Sequence, residues 1–142
     1  MPVQPARSDR TKENNGAATK RIQVDLSRQC VEAYEGRVCV FRFDCVTGDR
    51  EHPTVRGTFR ILRKHHPYRS RMYNVQMDHA MFFTADGKAF HQYHGPMPLG
   101  VVRLARNSLS DRFGSRGCVR LNEADARQLY EWTPVGTMVQ VS

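Results

Sequence analysis

Four cysteines and six histidines supply the thiol and imidazole chemistry available to this chain. Cys118 lies in FGSRGCVRL, Phe113 to Leu121, directly after a glycine and between Arg116 and Arg120. Positive charge and the backbone N–H groups of a tight turn both stabilise a thiolate, so this setting predicts a lowered thiol pKa and a nucleophile. A buried turn cysteine is the competing reading, since no local signature carries over between unrelated folds. A thiol nucleophile also needs a base, and the candidates are His52, His65, His66, His79, His91 and His94. His94 ends an expected strand and precedes Gly95-Pro96, which predicts a ring at a sheet rim that a substrate can approach.

The elements that must position these residues begin with RIQVDLSRQCVEAYEGRVCVFRFDCV, two β-rich runs around a turn at Glu35-Gly36. A tight turn there pairs Cys30 with Phe41, and alternation puts Cys39, Phe41, Phe43 and Cys45 on one face with Cys30 on the same side. These three thiols read as core filler. Cys39 and Cys45 on one extended strand are roughly 20 Å apart and cannot bridge. Cys30 and Cys39 as diagonal neighbours, at about 7 to 8 Å, are marginal for a disulfide. A second hairpin signal, HAMFFTADGKAFHQYHG, turns at Asp86-Gly87 and would pair Phe83 with Phe90 and His79 with His94. In that register His79 depresses the His94 pKa by like-charge repulsion or hydrogen-bonds to it. Along the returning strand His91 and Tyr93 point to one face, Gln92 and His94 to the other. A metal site of His91, His94 and Cys118 is therefore disfavoured.

Between the hairpins, TGDREHPTVRGTFRILRK offers a short strand from Thr58 to Leu62, and RKHHPYRSRMYN reads as a long basic loop. After Cys118, Asn122 can cap a helix at about 123–132 that repeats Ala126, Leu129 and Tyr130 at helical spacing and stops before Pro134. GTMVQVS alternates as a last strand. Many short strands and one convincing helix predict a mainly β domain, a sandwich or barrel-like fold.

The net charge of +8, from 22 Lys and Arg against 14 Asp and Glu, draws anionic partners. One class of function consistent with it is a non-catalytic polyanion-binding module using Arg60, Arg63, Lys64, Arg69 and Arg71. No apolar run approaches bilayer length, and residues 1–20 read as a polar, disordered arm without the apolar core of a secretory leader. Residues 21–142 form one domain, long enough to bury a core without staples, and the cysteines match no paired zinc spacing.

FHQYHG followed by GSRGCVRLNEADARQLYEWTPVGTMVQV resembles the L,D-transpeptidase catalytic domain, the YkuD family, in which a strand ending in His-Gly precedes a Ser-His-Gly-Cys-(Ile/Val)-Arg-Leu motif. IQVDLSRQCVEAYEGRVCVFRFDCVTGD resembles that family's opening hairpin and PTVRGTFRILRK its Thr-Pro-x-Gly-x-(Phe/Tyr)-x-Ile strand, so the likeness covers 21–142. Three departures stand out. Arg116 replaces the family's usual histidine, Val55 replaces a common proline, and the loop carrying Arg103, Arg106 and Arg112 is longer than usual.

The resemblance implies a β-sandwich of mixed sheets and a cysteine-dependent acyl transfer on peptidoglycan stem peptides without a cofactor. Cys118 would be the nucleophile and His94 the base, oriented by the carbonyl of Gly95. The backbone at Gly117 and Cys118 would form part of the oxyanion hole, with Ser115 fixing the turn. Arg120, Arg116 and Gln92 are the candidate substrate contacts. The thioester at Cys118 would release terminal D-alanine and pass to an amine acceptor, or to water in an L,D-carboxypeptidase, or to a D-amino acid in a secreted effector. A carbapenem adduct at Cys118 is expected, and nucleic acid is not. The family implies the cell envelope or periplasm; without a leader in this chain, the expectations are another export route, a leader absent from it, or the cytoplasm.

Overall fold

The computed structural model describes residues 19–71, 74–105 and 117–142. The expected arm lies outside the described residues through position 18. Its predicted end is two residues late, because Thr19 accepts a hydrogen bond from the Gly36 N–H and Lys20 opens the first strand.

Strands β1 (Lys20–Asp25), β2 (Cys30–Glu35) and β3 (Val38–Asp44) form an antiparallel meander. Strand β11 (Met138–Val141) pairs with β1 in parallel, and β4 (Gly57–Arg60) closes the far edge, giving the order β3-β2-β1-β11-β4. The second sheet has the order β10-β9-β8-β5, from Val119–Leu121, Ala89–Gln92, Ala80–Phe82 and Arg63–His65. There β10 runs parallel to β9 while β8 is antiparallel to both its neighbours. A two-stranded ribbon, β6 (Arg69–Ser70) and β7 (Val75–Gln76), stands apart. The mainly β, mixed-sheet architecture is the expected one, and it is not a barrel.

The alternation in β1 buries Ile22 and Val24, which meet Met81, Phe83, Phe90, Val119 and Leu121 from the second sheet in one core. Helix α2 (Glu123–Trp132) seals that core with Ala126 and Leu129. Asn122 holds the extended N-cap backbone, but its side chain makes no capping bond; Glu123 and Asp125 in the first turn complement the helix dipole instead. The other end is capped by Lys64, whose Nζ donates to the carbonyls of Tyr130 and Thr133 at 2.6 and 2.7 Å. A second helix, α1 (Leu99–Ala105), lies where the sequence offered only a loop, and it buries Leu99 and Val102.

Both hairpin registers differ from expectation. In the first, the turn is Gly36-Arg37 and an irregularity at Ala33/Tyr34 leaves Val40 as an extra residue, so Cys30 faces Asp44 and Cys39 faces Tyr34. Cys30 and Cys45 are buried as expected, whereas Cys39 is exposed near the tip of an edge strand, far from Cys30 along the ladder. In the second, Phe82 faces Ala89 and Met81 faces Phe90. The tight Asp86-Gly87 turn is replaced by a four-residue loop, Thr84 to Gly87. The Thr84 Oγ1 accepts from the Lys88 N–H at 2.9 Å and donates to Asp86, and this local bonding widens the turn. The predicted basic loop after Leu62 begins as β5.

Candidate active site

The parallel pairing of β9 and β10 decides whether His91 or His94 shares a surface with Cys118. Val119 lies opposite Phe90 and Arg120 opposite His91, so Cys118 comes beside Ala89. Cross-strand partners share a face and neighbours along a strand alternate. Cys118, Arg120, Ala89, His91, Ala80 and Phe82 therefore occupy one face of the second sheet, with Arg63 and His65 on its far strand β5, where the His65 ring packs against Tyr68 and Phe82; Val119, Leu121, Phe90 and Met81 occupy the other, in the core.

Cys118 is 9% exposed and packs with Met77, Ala80, Phe82 and Ala89. Its Sγ lies 4.0 Å from the Gly87 carbonyl oxygen. Burial raises its pKa above the ordinary thiol value; the Ala89 backbone N–H and the charges of Lys88 and Arg120 pull the other way and do not win. The lowered pKa expected from the flanking arginines is thus reversed, because the apolar wall costs the thiolate more than the cations return. Arg116 and Ser115, like Arg106 and Arg112, lie outside the described residues.

Gly117 turns the chain into β10 with φ +100°, a left-handed conformation that favours glycine, and the Lys88 side chain lies where a Cβ would project. Its carbonyl accepts a hydrogen bond from Thr54 Oγ1 at 3.0 Å, and that hydroxyl in turn accepts from the Gly48 N–H at 2.9 Å. The Gly117 carbonyl and the Cys118 N–H belong to one trans peptide plane, so anchoring the first aims the second away from Thr54.

His91 is 5% exposed, and its Nδ1 is 2.9 Å from the carbonyl oxygen of Gln92, the residue after it. Burial lowers its pKa to about 4; the Gln92 carbonyl opposes the shift and the Arg120 charge adds to it. The imidazole is neutral above that value, and a proton on Nδ1 given to the carbonyl leaves Nε2 as the acceptor. Arg120, 7% exposed, is held by paired backbone bonds to Val46 and lies 5.7 Å from the Tyr93 ring.

The other residues singled out from the sequence sit elsewhere than expected. His94 is five residues beyond Ala89, an extended length of roughly 16 Å, and its Nε2 lies 3.2 Å from Asp78 Oδ2. Gly95 packs against the Tyr93 ring with no room for a Cβ, and the carbonyl that orients a histidine on the Cys118 face is that of Gln92. Gln92 lies opposite Leu121, on the face away from Cys118. His79 does not face His94: its ring stacks on His66 at 3.8 Å and meets Tyr130 edge-on, while burial and His66 lower its pKa. Its expected partnership rested on the register that the wider turn changes. His91 was legible as the residue on the opposite face from His94, but nothing local in the sequence says which face β10 joins.

Among the described residues no group of three or more His, Cys, Asp or Glu is placed to hold a metal, and no helix is long and apolar enough to cross a membrane. Of the basic residues expected to bind a polyanion, Lys64 caps α2 and Arg60 bonds the Gly136 carbonyl, while Arg63, Arg69 and Arg71 line one cleft, where Arg69 is tied to Asn74.

The family profile of the YkuD L,D-transpeptidase catalytic domain matches residues 19–141. Among solved structures, an L,D-transpeptidase from Stackebrandtia nassauensis is 26% identical with a TM-score of 0.74, covering 92% of this chain and 58% of its own. A Cys-to-Ser mutant of Enterococcus faecium L,D-transpeptidase shares the fold at 21% identity and a TM-score of 0.72, with coverage of 87% and 50%. L,D-transpeptidase 3 from Mycobacterium tuberculosis, in complex with a faropenem-derived adduct, does so at 18% and 0.71, with coverage of 88% and 60%. The chain thus spans about half to three-fifths of the length of these neighbours. No curated protein matches it. With the mixed-sheet fold, the cysteine motif opening β10 and the match over nearly all described residues, this chain belongs to the YkuD family of L,D-transpeptidase catalytic domains.

Proposed function

We propose that this chain acylates Cys118 with a peptidoglycan stem peptide and that His91, in place of the expected His94, is its general base. The observation that carries this reading is the bond of His91 Nδ1 to its following carbonyl, on the same face as the thiol. A neutral thiol and a neutral imidazole are the resting pair, since burial pushes one pKa up and the other down. As Sγ attacks the carbonyl at the L-centre of the third stem residue, its proton passes to His91 Nε2. Arg120 favours the thiolate as it forms, and the N–H of Cys118 faces the developing oxyanion. Collapse breaks the peptide bond, and His91 returns the proton to the amine of the departing D-alanine. An amine of a second stem, a D-amino acid or water then attacks the thioester by the same proton path in reverse. Water gives an L,D-carboxypeptidase; the choice of acceptor follows from which nucleophile reaches the thioester. A carbapenem would acylate the same sulfur, and the cell envelope is where such a substrate occurs.

The test is release of D-alanine from a tetrapeptide stem. Cys118→Ala abolishes it under this reading, and undiminished release would end the reading.

A further inference from the structure

On the face that carries Cys118, four residues stand in one row across the sheet: Cys118 beside Ala89, Ala89 opposite Phe82, and Phe82 opposite Arg63. The row runs into a cleft of about 460 Å³ whose lining includes Arg63, Tyr68, Arg69, Met77, Phe82 and Asp86. Met77 and Phe82 share a buried cluster with Cys118, and Gly87, whose carbonyl oxygen lies 4.0 Å from Sγ, lines the cleft too, so the cleft lies beside the thiol. Its charges are unequal in readiness. Asp86 is paired with Lys88 at 3.3 Å, and Arg69 is spent on Asn74 and Gln76. Neither Arg63 nor Arg71, which also lines the cleft, makes an ion pair among the described residues, but Arg63 stands in the row of Cys118 and its guanidinium carbon lies 4.0 Å from the Phe82 ring centroid. An arginine held on an aromatic ring keeps its N–H edge presented for a planar, two-point contact with a carboxylate.

We infer that Arg63 reads a carboxylate on the acyl donor, which deepens the acyl-transfer reading above and rests on it. Phe82 is two strand spacings from Cys118, roughly 10 Å, and the guanidinium lies over its ring. A carboxylate six or seven bonds from the attacked carbonyl, roughly 7 to 9 Å at standard lengths, is the kind that comes near to spanning that gap. The carboxylate of a departing D-alanine, three bonds away, is too near. Two groups on a stem peptide satisfy the distance: the side-chain carboxylate of a dicarboxylic diamino acid at the acylated position, and the free α-carboxylate of a γ-linked glutamyl residue before it.

Three tetrapeptide donors separate these sources: both carboxylates free, the side-chain carboxylate amidated, and the preceding α-carboxylate amidated. Thioester formation at Cys118 is followed by intact-protein mass for the wild type and Arg63→Gln, with melting curves confirming that the variant folds. One amidation is expected to lower wild-type kcat/KM about 10- to 100-fold, the range for losing a charge-assisted bond. The same amidation should cost Arg63→Gln less than about twofold, because the contact is already gone. Equal rates for all three donors in the wild type, or an equal amidation penalty in the variant, overturn the assignment of Arg63 while leaving the acyl-transfer reading intact. Absence of thioester with every donor overturns both.

Discussion

Acidification should destabilise this fold through His91, by an amount the structure sets. An unfolded imidazole titrates near 6.5, and burial holds His91 at about 4. Between those values the unfolded chain binds a proton that the folded chain refuses, so stability is complete above the unfolded pKa and falls as the pH drops through the window. The gap of roughly two and a half pH units, at about 1.4 kcal/mol each, amounts to about 3 kcal/mol lost by pH 4. His79, also lowered by burial, contributes with the same sign, so the wild-type curve alone does not isolate His91. His91→Gln removes the titration and retains an amide N–H to offer the Gln92 carbonyl. Urea unfolding followed by far-UV circular dichroism, at steps from about pH 7 to pH 4, gives both curves. The wild type should lose about 3 kcal/mol more than the variant across that range. Superimposable pH dependences would mean that His91 titrates as in a peptide, and would refute its burial against the Gln92 carbonyl.

Other consequences are as specific. Thr54→Val removes the hydroxyl that anchors the Gly117 carbonyl and accepts from Gly48, so stability should fall by about 1 to 2 kcal/mol. Steady-state kinetics should show kcat down about tenfold with KM little changed, since the Cys118 N–H is misaimed while the cleft is untouched. Cys45→Ser, in the closed core, should cost about 1 to 3 kcal/mol, whereas Cys39→Ser at the edge strand should stay within about 0.5; denaturation midpoints compare them. Lys64→Met keeps the aliphatic stem but loses two bonds to the last carbonyls of α2, and should lower stability by about 1 to 2 kcal/mol in thermal melts.

What the sequence disclosed follows from which interactions are local. The alternation of Ile22 and Val24, the helical spacing of Ala126 and Leu129 and the stop before Pro134 each depend on neighbours along the chain, and they reappear in the fold. Cys118 stood out for the same reason, since its glycine and arginines are adjacent to it. Register was less legible, because it depends on turn details: Thr84 bonding Lys88 moved one hairpin and the irregularity at Ala33/Tyr34 moved the other. Preferring His91 to His94 as the base takes a non-local fact. Both histidines precede a backbone carbonyl and lie near the end of one strand; only the parallel docking of β10 distinguishes them. Strand β5 was hidden because Arg63, Lys64 and His65 look like a solvated run, yet Lys64 reaches α2 while Arg63 crosses to the cleft.

Activation of Cys118 by His91 rather than His94 is measured most directly as the single-turnover rate of thioester formation with a tetrapeptide donor. Intact-protein mass follows that rate in the wild type, His91→Ala and His94→Ala. Loss of His91 should slow acylation by about a hundredfold or more, the contribution of a positioned base, while loss of His94 should change it less than about threefold. Fast acylation without His91, together with loss of acylation without His94, would contradict the assignment.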